Sequence, residues 1–276
     1  MTTMTWTPVE GTPGEIRSRF PRPLDALARG EVPALVLRGA FPADHCRALM
    51  DRFRERGLAY DPGRGGVGKV PRVDIGTSFG RYRSDPGKFF EHSRQTRELF
   101  STLFDGYEDP VRTMYRALAE LAPEKRVMTA REPDGREYGP AIFRIYHAEV
   151  GHGPHFDSVA KRTKAVEYAV SRFDRQFAGV LCFQNSEGGD ETGEPFLYNC
   201  AWTPELQPVM AERRFPEHVA ANGIERAQVN LEPGDLYFFF SENIHEVPPV
   251  VGDRPRAVLA IFFATSDDEE EIFVWA

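Results

Sequence analysis

At 276 residues the chain can bury a sizeable core, and its 41% hydrophobic and 28% charged residues are those of an ordinary soluble protein. With 34 Lys and Arg against 42 Asp and Glu, the net charge of −8 argues against a nucleic-acid partner, because phosphate binding needs a basic surface. No apolar run approaches the roughly 18–20 residues that span a bilayer, so no membrane partner is expected. Residues 1–10 lack the basic and apolar segments of a signal peptide, and a cytoplasmic location is expected. Cys46, Cys182 and Cys200 have no CxxC spacing and read as buried thiols, not as a disulfide framework or a zinc site.

In chain order, residues 1–31 are rich in Pro, Gly and charge and are expected to wrap loosely. Residues 33–38 read as a short strand. Cys46, Leu49, Met50 and Phe53 then fall at i, i+3, i+4 and i+7 and predict a helix. Gly, Arg, Asp and Pro dominate residues 58–90, which read as one long, Gly-rich lid loop. Two helices follow. In the second, Val111, Met114, Tyr115, Leu118 and Leu121 share a face, and Pro123 lies just beyond it. From residue 141 the pattern changes. Segments 141–146, 177–183, 195–199, 229–231, 235–240 and 256–263 are β-branched and aromatic and are separated by turn residues, which predicts strands. Strands without helices between them suggest an antiparallel sandwich or barrel. Residues 1–276 are expected to form one domain, with a helical part (1–139) buttressing a β core (140–265). The apolar residues 272–275 are expected to dock on the sheet or to make a homodimer contact.

One motif is a decoy. Gly63-Arg-Gly-Gly-Val-Gly68-Lys69 starts like a phosphate-binding loop, but Val70 stands where a Ser or Thr would hold Mg²⁺. The informative stretch is Tyr146-His-Ala-Glu-Val-Gly-His-Gly-Pro-His155-Phe156-Asp157. On a strand, His155 and Asp157 would point to the same face and offer two adjacent metal ligands. His245, between two later strands, offers a third. Two histidines and one carboxylate with open positions beside them form the site of non-haem Fe(II) oxygenases. An arginine pointing into the same barrel, Arg254 or Arg256, would clamp a carboxylate bidentately. A co-substrate that chelates iron at one end and carries a carboxylate at the other has the shape of 2-oxoglutarate.

Tyr146, His155-x-Asp157, Pro233-Gly-Asp235, His245-Glu-Val-x-Pro249 and Gly252-Asp-Arg254-Pro-Arg256 together resemble the Fe(II)/2-oxoglutarate-dependent oxygenases, in their prolyl-4-hydroxylase-like branch. The resemblance spans residues 140–265. It implies a mainly β, α+β fold with a double-stranded β-helix (jelly-roll) core. It also implies His155, Asp157 and His245 as catalytic iron ligands, with Tyr146 beside the 2-oxoglutarate. Counting from the distal histidine favours Arg254 as the clamp; the register of the following apolar strand favours Arg256, which is ranked first. The layout is similar to that of free-standing bacterial amino-acid and N-acyl-amino-acid hydroxylases and the related alkaloid halogenases. The implied reaction consumes O₂ and 2-oxoglutarate and releases succinate and CO₂. Halogenating relatives carry Gly or Ala at the position of Asp157, so hydroxylation is the expected outcome, although desaturation or ring closure leaves no mark in sequence. Two alternatives stand beside it: a protein or peptide hydroxylase of the same chemistry, and a non-catalytic barrel that binds a metal or an anion.

Substrate signals are sparser. Lys161, Arg162, Lys164, Arg172 and Arg175 follow Asp157, and Arg72, Arg81 and Arg83 precede the helices. They point to an anionic small-molecule substrate, with Arg83 and Arg162 as its contacts and Phe79 and Phe156, with Tyr82 and Trp202, as apolar walls. His147 is expected to face away from the site, and His45, His92 and His218 are expected at the surface.

Overall fold

The structure is a computed structural model that describes residues 6–59, 72–162, 167–187 and 193–276. In the first half lie β1 (Val9–Glu10), α1 (Pro13–Arg19), α2 (Pro23–Ala28), β2 (Leu35–Leu37), α3 (Ala43–Glu55), β3 (Val73–Ile75), α4 (Phe79–Tyr82), α5 (Pro86–Leu103), α6 (Pro110–Leu121) and β4 (Arg126–Thr129). The second half contains β5 (Ile142–Tyr146), β6 (His152–His155), α7 (Val159–Arg162), β7 (Arg175–Gln184), β8 (Phe196–Ala201), α8 (Gln207–Ala211), α9 (Phe215–Asn222) and β9 (Arg226–Gln228). It closes with β10 (Leu236–Phe240), β11 (Asn243–Val247), β12 (Arg256–Thr265) and β13 (Glu271–Trp275). Among the described residues, no helix is long and apolar enough to cross a membrane.

The helices start where local chemistry satisfies their free amides. Thr12 and Glu15 form a reciprocal capping box at α1. The carboxylates of Asp85 and Asp109 accept amides of the first turns of α5 and α6, each with proline at the first helical position. The apolar face read from Cys46, Leu49, Met50 and Phe53 is the buried face of α3. It packs against the large sheet with α6, whose Val111, Met114, Leu118 and Leu121 join the same cluster.

The β part is a jelly roll of two sheets. The larger runs β1-β2-β10-β7-β12-β13-β4, with β5 on the first half of β12 and β3 on β5. The smaller runs β6-β11-β8-β9. In the large sheet every second side chain faces the helices: Phe177, Leu181 and Phe183 of β7, Leu236, Phe238 and Phe240 of β10, and Leu259, Ile261 and Phe263 of β12 are all buried there. The alternate residues, among them Ala178, Val180, Tyr237, Phe239, Val258 and Arg256, face inward and line the space between the sheets.

Several expectations need correction. Residues 6–31 are not loosely wrapped; they form β1, α1 and α2, with Ile16 and Leu27 fully buried. Residues 58–90 are not one loop, since β3 and α4 and the start of α5 lie within them; the decoy motif at 63–69 lies outside the described residues. The strand expected at 229–231 sits at 226–228 instead. The second half is also not free of helices: α7, α8 and α9 interrupt it. Their isolated turns are too short for a 3.6-residue periodicity to register. The C-terminal segment does dock on the sheet, as β13 between β12 and β4.

Candidate metal centre

The two sheets bring together residues far apart in sequence. His155 ends β6 and pairs directly with His245 on β11. Asp157 lies two residues beyond the end of β6, so the expectation of one continuous strand through both ligands fails. The turn is fixed instead by the Asp157 amide donating to the Ser241 carbonyl at 2.8 Å, and the Ser241 hydroxyl donating to the Asp157 carbonyl at 2.9 Å. The Asp157 Oδ2 then lies 3.7 Å from His155 Nε2 and 3.6 Å from His245 Nε2. One ligand atom from each of the three side chains falls within 4.8 Å of the other two.

Both imidazoles are oriented from behind. His155 Nδ1 lies 2.8 Å from the Gly153 carbonyl, and His245 Nδ1 lies 2.9 Å from the Asn243 carbonyl. A carbonyl only accepts, so each Nδ1 carries the proton and each Nε2 presents its lone pair to the shared centre. Burial and the neighbouring His245 push His155 well below the usual imidazole range, which keeps it a neutral ligand. Burial pushes the Asp157 carboxyl up, but the polar surroundings, the two facing imidazoles and the Arg162 guanidinium 3.6 Å away, outweigh it and hold the group well below the usual carboxylate range. Two neutral nitrogen donors and one carboxylate suit Fe(II).

Arg256 opens β12 directly opposite Tyr146 at the end of β5, and both line the cavity that contains the three ligands. Arg256 is 2% exposed, and its Nε has no hydrogen-bond partner. A buried, unpartnered guanidinium in a cavity with a metal-ligand triad fits a chelator that also bears a carboxylate. Arg254 is exposed and donates to the Ser186 carbonyl at 3.2 Å, so it lies away from this cavity. Pro255 separates the two arginines: Arg256 is the first residue of β12 and turns into the cavity, whereas Arg254 lies in the turn before the strand begins.

A second cleft adjoins the first at Asp157 and Phe262; its walls include Phe79, Arg83, Arg162 and Trp275. Burial and the like charge of Arg83 lower the Arg162 guanidinium from its ordinary value, while Asp157, at 3.6 Å, pulls the other way. Arg162 lies over the ring of Phe156 at 4.3 Å, and Phe156 stacks on Trp202 at 4.5 Å. Tyr82 packs on His92 instead. His45, His92 and His218 are half-buried and not at the surface as expected.

Two cavity residues escaped the sequence reading. His152 stacks on His155 with ring centroids 3.6 Å apart, and burial takes it down to about 4. Arg144 lines the cavity two residues before Tyr146. Period-two alternation from Tyr146 was the available signal for Arg144.

A family model described as the carrier-protein-independent halogenase WelO5 matches residues 15–276. No match emerges among curated proteins. Among solved structures, an N-substituted L-amino acid dioxygenase from Burkholderia ambifaria AMMD is 19% identical with a TM-score of 0.61, covering 92% of this chain and 90% of that one. The structure of such a dioxygenase from the same organism in complex with α-ketoglutarate is 17% identical, with a TM-score of 0.58 and coverage of 92% and 90%. The α-ketoglutarate-dependent epimerase SnoN from nogalamycin biosynthesis is 15% identical, with a TM-score of 0.51 and coverage of 90% and 88%. From its match over residues 15–276, and with this fold and donor set, the chain belongs to the WelO5 family of Fe(II)- and 2-oxoglutarate-dependent oxygenases.

Proposed function

We propose that the protein is a hydroxylase of a small anionic substrate, such as an amino acid or an N-acyl amino acid. Asp157 carries this reading: it places a carboxylate oxygen within 3.7 Å of both histidine nitrogens, at the position where halogenating relatives leave room for chloride. The matching family model bears a halogenase's name, and Asp157 is the point at which this chain departs from that chemistry.

Bound to His155, Asp157 and His245, Fe(II) with 2-oxoglutarate and O₂ supplies the oxidising power to functionalise an unactivated C–H bond, with release of succinate and CO₂. The protein's own contribution is position and exclusion. Gly153 and Asn243 hold the imidazoles in their ligating tautomer. Arg256 and Tyr146 bind the far carboxylate of 2-oxoglutarate. The inward-facing Ala178, Val180, Phe239 and Val258 keep the cavity apolar, so water does not compete for it. Arg83 and Arg162, two like charges beside Asp157, would be relieved by a substrate carboxylate, and Phe79 and Phe156 would flank its apolar body.

The test is succinate formation by the Fe(II)-loaded protein with 2-oxoglutarate, O₂ and chloride, screened against amino acids, their N-acyl derivatives and the matching neutral amides. Acids should stimulate succinate release and emerge hydroxylated; Asp157→Gly should divert part of the product to the chlorinated form. Chlorinated product from the unaltered protein would overturn the hydroxylase reading. Stimulation by the amides alone would overturn the anionic substrate class.

A further inference from the structure

A buried acid outside the metal triad reaches the short helix that follows Asp157. Glu242 lies in the turn between β10 and β11 and is 4% exposed. Its Oε1 accepts from the Ser158 hydroxyl at 3.1 Å, and its Oε2 accepts from the Lys161 ammonium at 2.5 Å. Ser158 caps α7: its hydroxyl oxygen accepts the Lys161 amide at 3.3 Å, and its carbonyl accepts the Arg162 amide at 3.2 Å. In the same turn the Glu242 carbonyl accepts the Trp202 amide at 2.9 Å. Trp202 stacks on Phe156, the ring that the Arg162 guanidinium covers. Glu242 therefore touches both supports of Arg162: the helix that carries it, through the side chain, and the aromatic stack beneath it, through the backbone.

With four residues, α7 is too short to stand without outside contacts. Its two ends are held separately. At the start, Asp157 is bound to Ser241 by backbone and hydroxyl, and the Val159 amide donates to Gln176 Oε1 at 2.7 Å. At the far end the Lys161 ammonium meets Glu242. A buried carboxylate left without its cation is costly, so this pair resists any movement of the Arg162 end away from the β10–β11 turn. Arg162 shares its cleft with the like charge of Arg83. A guanidinium already held there loses less side-chain freedom on taking up an anion than one free to swing into water. Releasing Glu242 would thus free the anion-binding end of α7 while Ser241 and Gln176 still hold the metal-binding end.

We propose that Glu242 is a positioning residue for substrate: through Lys161 and Ser158 it fixes α7 so that Arg162 is set to receive an anion, a role that rests on the anionic-substrate reading above. Two measurements on the Fe(II)-loaded protein test it. Hydrogen exchange follows the amides of residues 159–162, and succinate release is titrated with L-leucine and N-acetyl-L-leucine as probes. Glu242→Ala should speed exchange at Lys161 and Arg162 and raise KM for the stimulating acid about tenfold, with kcat and KM for 2-oxoglutarate within about twofold. Glu242→Gln, which keeps the acceptor for Ser158 and loses the charge facing Lys161, should fall between the two. In an Arg162→Met background Glu242→Ala should add nothing to KM, because the effect passes through Arg162. Circular dichroism checks the fold, and Lys161→Met, at the more exposed end of the pair, carries the same comparison should the Glu242 variants not fold. Unchanged exchange and KM in folded Glu242→Ala overturn the proposal. So does an equal rise in KM with Arg162 already removed, or a matching loss of 2-oxoglutarate, which would make Glu242 a support of the metal centre. If neither probe stimulates the unaltered protein, the substrate reading is what fails, and the exchange rates alone decide whether Glu242 holds α7.

Discussion

Glu194 shows how a single side chain near the cavity shapes the stability of the protein. It is 8% exposed, and its Oε2 has no partner. Burial pushes its carboxyl up to about 6, against the pull of Arg256. Below the ordinary value of 4.5, folded and unfolded chains are both protonated and nothing is lost. Between that value and about 6 the unfolded chain releases its proton first, so stability falls as pH rises. Above about 6 the cost is constant at about 2 kcal/mol. Glu194→Gln should therefore raise stability by up to about 2 kcal/mol at neutral pH and leave it unchanged near pH 4. Urea unfolding of both proteins at the two pH values measures this; an equal gain at both would mean that ionisation is not the cause.

At the scale of elements, Gly179 in the middle of β7 explains how the large sheet takes its aromatic load. A Cβ there would lie 2.7 Å from Phe238 Cε1 and 3.0 Å from Ile261 Cγ1, its two cross-strand neighbours. The missing side chain makes room for the Phe238 ring on the helix-covered face. Gly179→Ala should destabilise the fold by about 1–3 kcal/mol through overpacking, read as a shift in denaturant midpoint. Adding Phe238→Leu should recover part of that loss, because the contact is with the ring. The neighbouring residues Ala178 and Val180 face the metal cavity, so strain at Gly179 should also loosen 2-oxoglutarate binding. Long elements were the most legible ones. Helices α3 and α6 and strands β7, β10 and β12 carry enough repeats of their period to be read from sequence. Elements such as α1, α2, β3 and α7 have only a turn or a few residues each, and their stability comes from what they pack against.

Across the whole molecule, β13 ties the N-terminal helical part to the jelly roll. Trp275 is fully buried among Phe79, Phe89 and Tyr138, from α4, α5 and the segment before β5. The Phe79 amide donates to the Ala276 carbonyl, and the Ala276 amide donates to the Gly139 carbonyl, each at 3.1 Å. Arg175, at the start of β7, bridges Asp25 of α2 and Asp267 of the β12–β13 turn at 2.6 Å each. Trp275→Ala should cost about 3–5 kcal/mol, measured by guanidinium unfolding. Because Trp275 also walls the Arg83–Arg162 cleft, the same change should weaken substrate more than 2-oxoglutarate.

The residue types and spacing alone determined the chemistry available: a His-x-Asp pair, a distal histidine, a tyrosine and a following arginine carry the metal and carboxylate reading without any coordinates. Alternation along the strands determined which residues share a face. Only the tertiary structure decided which partners meet. It placed His245 opposite His155 across two strands, chose Arg256 over Arg254 for the cavity, brought Arg83 beside Arg162, and set Arg144 in the wall of the same cavity. The physical reason is that periodicity is a local property of the chain, whereas strand register, and the burial that leaves a charge without a partner, depend on contacts between residues roughly a hundred positions apart.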